Sequence, residues 1–177
     1  TERPPKLYDL TTLQREANRL FGYTAQQTLD YAQLLYEKKL ATYPRTDSRY
    51  LVSGMAGGLP ALCSIAAAAL SLPMVESVQA AQVVDDGKVS DHHALLPTAE
   101  LGRADLAALP TGERNVLTLI AARLLCAVGS PCRYAESAAV LECGGASFTA
   151  KGRTMLDAGW KAVEQAMLAS VKKETRS

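Results

Sequence analysis

Apolar residues recur at helical spacing through the first forty positions of the chain and predict two short helices. The apolar positions of the first helix are Leu10, Leu13, Ala17, Leu20 and Phe21. Thr11 and Gln14 form a capping pattern at its start, and Gly22 is suited to ending it. Thr24 and Gln27 repeat that capping pattern before the second helix, which ends in a run of charged residues. Two helices joined by so short a turn resemble a helix-turn-helix unit.

The middle of the chain alternates apolar helices with polar loops. Residues 61–72 are rich in alanine and predict a buried helix, whereas the polar run 84–91 predicts a loop with turn chemistry at Asp86-Gly87. A long apolar helix is predicted to start at Thr111 and to end at Gly129.

The pattern changes after the long helix. Alternating apolar positions over 134–143 and 146–153 flank Gly144-Gly145 and predict a β-hairpin. Residues 169–177 are charged and predict a short disordered tail. The predicted fold class is therefore mainly α with a minor β portion.

Composition and charge exclude several classes of protein. The 177-residue chain is 48% hydrophobic and 21% charged, a composition typical of globular domains. Its net charge of +1 means that any nucleic-acid site must be a local patch. The four cysteines lack the spacing of a metal site or a C-x-x-C pair, which predicts free thiols in a reducing cytoplasm. The apolar stretch at 59–72 is too short to span a membrane, and no signal peptide is visible.

The segment 41–50 carries the most informative chemistry. Tyr43 lies two residues before Arg45 and six before Arg49. Tyrosine is normally a poor nucleophile, because its phenol titrates near pH ~10. A nearby guanidinium can stabilise a developing phenolate and bind a phosphate at the same time, and this pairing suits attack on a phosphodiester.

Three segments in order resemble type IA DNA topoisomerases over roughly residues 5–165. Tyr43-Pro44-Arg45-Thr46-Asp47-Ser48 resembles the active-site segment, in the form of the topoisomerase III branch. Asp91-His92-His93-Ala94-Leu95-Leu96-Pro97-Thr98 resembles the motif His-x-Ala-[Ile/Leu]-x-Pro-Thr. Leu7-Tyr8-Asp9-Leu10-Thr11-Thr12-Leu13-Gln14 resembles the segment that leads into the catalytic region.

The resemblance implies the central portion of that family's fold. Residues 10–130 would form a helical catalytic-tyrosine domain that contains the helix-turn-helix-like unit. Residues 1–9 would be the incoming linker from the family's β-rich arch, and 131–156 would be a β-hairpin portion of that arch. Residues 157–177 would hold the start of a helix and the disordered tail.

The resemblance also implies roles for individual side chains. Tyr43 would attack a DNA phosphorus and remain joined to the 5′ phosphate, while Arg45 would clamp the phosphate. His92 would donate a hydrogen bond to a non-bridging oxygen or lend it positive charge. Further candidate DNA contacts are Arg49, Thr12, Gln14 and Lys39. For these four, capping or a solvated surface position is the alternative interpretation.

The acidic Asp-x-Asp-x-Glu cluster that binds metal in this family has no counterpart in the sequence. We therefore expect Mg²⁺ to be bound by a part of the parent enzyme outside this chain, and no metal site within it. The chain begins Thr-Glu-Arg-Pro-Pro without a starting methionine, and is interpreted as a fragment with little or no activity by itself. The expected partners are single-stranded or underwound DNA and the remaining domains of the enzyme, in the cytoplasm with the nucleoid and without a membrane.

Two other classes of function are possible from the pattern alone. The first is a non-catalytic helix-turn-helix module that binds DNA with its second helix. That helix carries only Gln26 and Gln27 as base-reading side chains in its first turn, where Arg, Lys or Asn are also common. The second is an all-helical scaffold, which leaves the three ordered motifs unexplained.

Overall fold

The computed structural model describes residues 1–176, which form five α-helices and one two-stranded antiparallel sheet. The helices are α1 (Leu10–Phe21), α2 (Ala25–Glu37), α3 (Leu59–Leu70), α4 (Thr111–Ala127) and α5 (Lys161–Thr175), and the strands are β1 (Arg133–Cys143) and β2 (Ala146–Asp157). Short 3-10 helices lie in the connections at Ser53–Gly58, Ala80–Gln82, Asp86–Lys88, Ala99–Gly102 and Leu106–Ala108. The predicted fold class, mainly α with a minor β portion, is confirmed.

Each of the first two helices is capped by a side chain at its N-terminus. The predicted capping pattern at Thr11 and Gln14 is wrong: the N-cap of α1 is Asp9, whose carboxylate accepts from the Thr12 amide at 2.8 Å. The Thr12 hydroxyl accepts in return from the Asp9 amide at 3.1 Å. Aspartate is among the strongest N-cap residues, so the helix begins there. The predicted cap of α2 by Thr24 is confirmed.

Helix α4 is the centre of the core. It is buried along nearly all of its length, and it contacts each of the other four helices. The acidic residue Glu113 is only 3% exposed, and Lys38 at the end of α2 forms an ion pair with it. A helix that is buried on nearly every side requires neighbours on those sides, and the other four helices supply them.

Helix α3 begins two residues before the predicted helix and has Pro60 in its first turn, where proline is favoured. The stretch Ser53–Leu70, with a mean hydropathy of 1.5, is long and apolar enough to count as a possible membrane span by composition. It consists of a 3-10 helix followed by α3. At 12 residues, α3 is about 18 Å long, well short of a hydrocarbon core of about 30 Å. The buried face of α3 belongs to the core of the protein.

The predicted hairpin is confirmed, and β2 extends four residues beyond the predicted strand. Gly144 and Gly145 both have positive φ angles, 59° and 83°, and form the two-residue turn. The strands pair from Cys143 with Ala146 at the turn to Arg133 with Asp157 at the base. Several large apolar side chains of the hairpin are 41–65% exposed: Val140, Leu141, Phe148, Met155 and Leu156.

The base of the hairpin is tied to the first residues of the chain. The backbones of Glu2 and Cys132 exchange hydrogen bonds of 2.7 and 2.9 Å, and the Trp160 indole donates to the Glu2 carbonyl at 3.2 Å. Lys161 Nζ lies 2.7 Å from the Glu2 carboxylate and 2.8 Å from the Tyr134 hydroxyl. The chain therefore enters the helical portion and leaves it at one place.

The prediction of a disordered tail is wrong, because helix α5 extends through most of it. Residues 169–175 of that tail are helical, and Ser177 lies outside the described residues. The reason is tertiary, because Val163, Met167 and Val171 form an apolar stripe that is buried in the core. Sequence composition alone pointed to the charged residues and missed this stripe.

Candidate active site

The segment that contains Tyr43 runs extended between α2 and the first 3-10 helix. Its start pairs with the other motif segment: Ala41 bridges Pro97, and the Thr42 amide donates to the Leu96 carbonyl at 2.9 Å. The Thr42 hydroxyl accepts from the Leu96 amide, also at 2.9 Å. Pro44 disfavours a helical conformation at Tyr43, so the segment stays extended.

The phenol of Tyr43 lies beside the imidazole of His92. The two ring centroids are 4.5 Å apart, and the ring planes are inclined by 40°. On its other side the Tyr43 ring meets the edge of Tyr36, with centroids 5.4 Å apart at 77°. Tyr43 is half-buried and His92 is exposed, so the phenol is held by aromatic contacts while the imidazole faces solvent.

Arg45 and His92 line one surface cleft of about 390 Å³. The other residues that line it are Asp9, Leu10, Thr11, Thr46, Asp47 and Asp91. Arg45 is exposed, and no ion pair or hydrogen bond from its guanidinium is found among residues 1–176. Arg45 and His92 thus line the opening, and Tyr43 lies next to it through the contact of its ring with His92.

Thr46 holds this cleft together, and sequence reasoning gave it no role. Only 5% of the residue is exposed. Its hydroxyl donates to the His92 carbonyl at 3.2 Å, and its carbonyl accepts from the Leu10 amide at 3.0 Å. It thereby joins the start of α1, the Tyr43 segment and the His92 segment. Its position inside the matched motif was the signal that could have identified it.

Three of the four further DNA-contact candidates are bonded to the protein's own backbone. The Arg49 guanidinium donates to the carbonyls of Leu7 and Lys6 at 2.9 and 3.4 Å. Thr12 caps α1 as described above. The Gln14 amide donates to the carbonyl of Ala25 at 3.0 Å and so joins α1 to α2.

Lys39 differs from these three candidates. It is exposed at the end of α2 and has a left-handed backbone, with φ 63°. The hydroxyl of Thr98 donates to its carbonyl, which fixes the backbone and leaves the ammonium group at the surface.

The second histidine of the motif has a local partner. Nδ1 of His93 lies 2.7 Å from the Ala94 carbonyl, and the residue is half-buried. His93 therefore contributes to the shape of the loop, while the exposed ring of His92 faces the cleft.

Tyr8 is the one motif tyrosine enclosed by the core, with 2% of the residue exposed. Burial raises the pKa of Tyr8 to about 12, although Arg123 acts in the opposite direction. The guanidinium of Arg123 lies 4.2 Å from the centre of the Tyr8 ring and donates to its hydroxyl at 3.1 Å. Tyr8 is thus a neutral structural residue at ordinary pH.

The cleft is chemically suited to an anionic substrate that is attacked at one atom. A phenol can act as a nucleophile, a guanidinium can bind two oxygens of a phosphate, and an imidazole can donate a hydrogen bond. Three carboxylates also line or border the opening, those of Asp9, Asp47 and Asp91. Within residues 1–176, however, no group of three His, Cys, Asp or Glu side chains could hold a metal ion.

Comparisons with known proteins agree on one family. The sequence model of a family described as DNA topoisomerase matches residues 1–176. The chain is 41% identical over 166 residues to DNA topoisomerase 3 of Bacillus thuringiensis (strain Al Hakam), covering 90% of this chain and 22% of that protein. It is 43% identical over 169 residues to DNA topoisomerase 3 of Bacillus subtilis (strain 168), covering 90% of this chain and 23% of that protein. The chain therefore spans less than a quarter of the length of these relatives.

A solved structure has the same fold. Full-length topoisomerase I from Thermotoga maritima superposes with a TM-score of 0.66 at 24% identity, covering 92% of this chain and 27% of that one. At this level of identity the likeness shows the fold, that is, the arrangement of helices and hairpin.

Proposed function

The chain belongs to the DNA topoisomerase family, and from that premise we propose that it is the portion of a type IA enzyme, of the topoisomerase III branch, that carries the nucleophilic tyrosine. The parent enzyme would cut one DNA strand, pass another strand through the gap and reseal the cut. Its substrate would be single-stranded or underwound DNA, because cutting and passing one strand requires that strand to be unpaired.

In the proposed reaction the Tyr43 oxygen attacks a backbone phosphorus. A bond forms between that oxygen and the phosphorus, and the bond from the phosphorus to the 3′ oxygen breaks. The phenol loses one proton and the 3′ oxygen gains one, which leaves a free 3′ hydroxyl and a 5′-phosphotyrosine. One phosphodiester replaces another, so resealing by the reverse step needs no ATP.

Arg45 and His92 would stabilise the phosphate during this exchange. The planar guanidinium of Arg45 can bind two phosphate oxygens, and it has no competing carboxylate partner among residues 1–176. His92 can donate to a non-bridging oxygen next to the attacking phenol. The observation that carries the proposal is the 4.5 Å approach of the Tyr43 and His92 rings, at the cleft that Arg45 also lines.

Among the described residues, no group of three His, Cys, Asp or Glu side chains could hold a metal ion. We propose instead that Mg²⁺ is bound by an acidic domain elsewhere in the parent enzyme, and that this chain is inactive without it. The remaining domains are then its protein partners. The hairpin would join the parent's β-rich arch, where further strands would cover its exposed apolar side chains. The enzyme would act in the cytoplasm on the nucleoid.

Of the further DNA contacts, we retain Lys39, whose ammonium is at the surface near the end of α2. Arg49, Thr12 and Gln14 are engaged by the protein's own backbone, and we propose structural roles for them. The alternative of a helix-turn-helix reader is disfavoured for a similar reason. Gln27 Oε1 accepts from the Thr24 amide at 2.9 Å, and the Gln26 amide group donates to Asp30 at 2.8 Å, so each side chain already has one of its two polar ends engaged within α2 or its cap.

Covalent trapping tests the proposed function. Full-length protein would be mixed with labelled single-stranded DNA and Mg²⁺, quenched with detergent and examined for a protein–DNA adduct. We expect an adduct that Tyr43→Phe abolishes. Tyr36→Phe is the matched control, because it alters the neighbouring ring of the same cluster and should leave the adduct intact. An adduct that survives Tyr43→Phe, or DNA binding without any adduct in the unmodified protein, would overturn the proposal.

A further inference from the structure

A second group of basic and phenolic side chains is gathered around Tyr50, farther along the extended segment that contains Tyr43. The Nζ atoms of Lys88 and Lys6 lie 4.8 and 5.4 Å from the centre of the Tyr50 ring. Tyr50 belongs to the segment that contains Tyr43, whereas the two lysines come from separate parts of the chain. The fold therefore gathers three side chains that no single sequence motif contains.

The backbone around these side chains is held by specific hydrogen bonds. The Tyr50 carbonyl accepts from the Ala94 amide at 2.9 Å, and the Ser48 hydroxyl donates to the Lys88 carbonyl at 2.7 Å. Arg49 binds the carbonyl of Lys6, as described above. The backbone of both lysines is thus fixed by hydrogen bonds. A ligand that binds them would therefore have to order the lysine side chains alone, at a lower cost in conformational entropy.

The charges of the two lysines are poorly neutralised by the protein. Both ammonium groups lower the pKa of the Tyr50 phenol, Lys6 through a hydrogen bond most of all. Among residues 1–176, the one ion pair of these two lysines joins Lys88 to Asp85 at 3.6 Å, with side chains that are 58% and 40% exposed. Such surface pairs contribute little, so an incoming anion can compete with Asp85.

We propose that Lys6, Lys88 and Tyr50 bind a backbone phosphate of the DNA single strand that passes through the Tyr43 cleft. Two ammonium groups and a phenolic hydroxyl supply hydrogen-bond donors, and a phosphate offers several acceptor oxygens. The site deepens the function proposed above and rests on it. It would guide the strand on one side of the scissile phosphate.

The position of the site along the chain fits this role. Tyr50 follows Tyr43 by seven residues of mainly extended backbone, so the two are at most about 25 Å apart. Single-strand grooves follow the phosphate backbone with positive charge over several nucleotides. The cleft and the Lys6–Lys88–Tyr50 site can therefore contact the same short stretch of DNA.

The salt dependence of DNA binding tests the proposal. Fluorescence anisotropy with a labelled single-stranded oligonucleotide would give the Kd of the full-length protein between 50 and 300 mM salt, in the absence of Mg²⁺. Removing one phosphate contact to a single strand should reduce the slope of log K against log salt by about 0.7, and should weaken binding about fourfold at 0.15 M salt. We expect this full change for the double variant Lys6→Met with Lys88→Met, a part of it for each of the two single variants, and a smaller loss without a change in slope for Tyr50→Phe.

Control variants separate a lost contact from a lost fold. Lys172→Met removes an exposed lysine near the end of α5 and should leave both the Kd and the slope unchanged. The neighbours of this lysine, Val171 and Glu174, line a pocket with the last residues of α1. The double variant Lys6→Arg with Lys88→Arg keeps both charges and should keep the slope. The proposed site would be overturned if the slopes for the Lys6 and Lys88 methionine variants equalled the slope for the unmodified protein or for Lys172→Met.

The two proposals can fail separately. If Tyr43→Phe abolishes the covalent adduct but the lysine variants bind with an unchanged slope, the phosphate site is wrong and the catalytic assignment stands. If the lysine variants change the slope while the adduct survives Tyr43→Phe, the chain binds DNA at this site and the catalytic assignment is wrong.

Discussion

The imidazole of His92 packs against the phenol of Tyr43 at a centroid distance of 4.5 Å, although the two residues belong to different loops. They meet because the two loops pair as extended segments, with Ala41 opposite Pro97. Thr46 adds a side-chain hydrogen bond to the His92 carbonyl. The geometry of the candidate active site is therefore set by backbone pairing, and a change to either ring should alter chemistry more than folding.

We expect His92→Ala to slow adduct formation on the order of 100-fold, because one preorganised donor to the reacting phosphate is lost. The measurement is the rate of covalent capture by full-length protein. His93→Ala is the matched control, since His93 interacts with the Ala94 carbonyl beside it, and its effect on the rate should be much smaller. Equal losses in the two variants would contradict the role assigned to His92.

The two arginines of the segment should respond in opposite ways. Arg45→Lys keeps the charge but loses the planar fork, and we expect capture to slow on the order of tenfold with unchanged stability. Arg49→Lys loses hydrogen bonds to the carbonyls of Leu7 and Lys6, so it should lower the free energy of unfolding by about 1 kcal/mol. Its capture rate should change little below the unfolding transition. Slower capture in Arg49→Lys than in Arg45→Lys would reverse these assignments.

Short-range sequence patterns predicted the parts of the fold that interactions between neighbouring residues determine. The hairpin followed from alternating residues around Gly144-Gly145, and the cap of α2 from Thr24. The main candidate site was also predictable, because Tyr43 and His92 each lie in a contiguous motif.

Features that depend on distant contacts could not be predicted in this way. The last turns of α5 are stabilised by burial of Val171, and Arg49 is bound by carbonyls at the start of the chain. The group of Lys6, Lys88 and Tyr50 combines three separated segments. In each case the determining partner is absent from the surrounding sequence.

A buried hydroxyl on α2 offers a test of stability. Thr28 is fully buried, and its Oγ1 has no hydrogen-bond partner among the described residues. Replacing it with the isosteric valine removes an unsatisfied polar atom, so Thr28→Val should raise the free energy of unfolding by about 1 kcal/mol.

Thr118→Val is the matched control for this change. The Thr118 hydroxyl donates to the Arg114 carbonyl at 2.8 Å, so its loss should be neutral or destabilising. Urea unfolding of the two variants measures the difference. A destabilised Thr28→Val would indicate that its hydroxyl is satisfied in solution.

Gly112 near the start of α4 should not tolerate a side chain. A Cβ at this position would lie 2.2 Å from the Tyr31 ring. We expect Gly112→Ala to lower the free energy of unfolding by about 1–3 kcal/mol, because overpacking outweighs the gain of about 1 kcal/mol in helix propensity. Gly54→Ala is the control, since its Cβ would meet nothing within 4 Å. A stabilised Gly112→Ala, measured by thermal unfolding, would show that Tyr31 moves aside without cost.

Alkaline pH should destabilise the protein because a buried phenol and a buried thiol resist losing their protons. Burial raises the pKa of Tyr8 from 10.0 to about 12, and that of Cys126 from 9.0 to about 12. A raised pKa in the folded state means that the unfolded chain loses its proton first. Stability is therefore fully present below the unfolded pKa and falls as pH rises toward 12.

Tyr8→Phe removes the contribution of this phenol to the alkaline loss. A shift of two pKa units corresponds to about 3 kcal/mol, so the free energy of unfolding of the variant should fall less steeply above pH 10 by up to about that amount. Between pH 6 and 8 the two curves should run parallel, although the variant starts lower because Arg123 loses its bond to the hydroxyl. Urea unfolding across pH 6–11.5 provides the comparison. Curves that remain parallel above pH 10 would mean that Tyr8 ionises as readily in the folded protein as in the unfolded chain, and that the core does not enclose its hydroxyl.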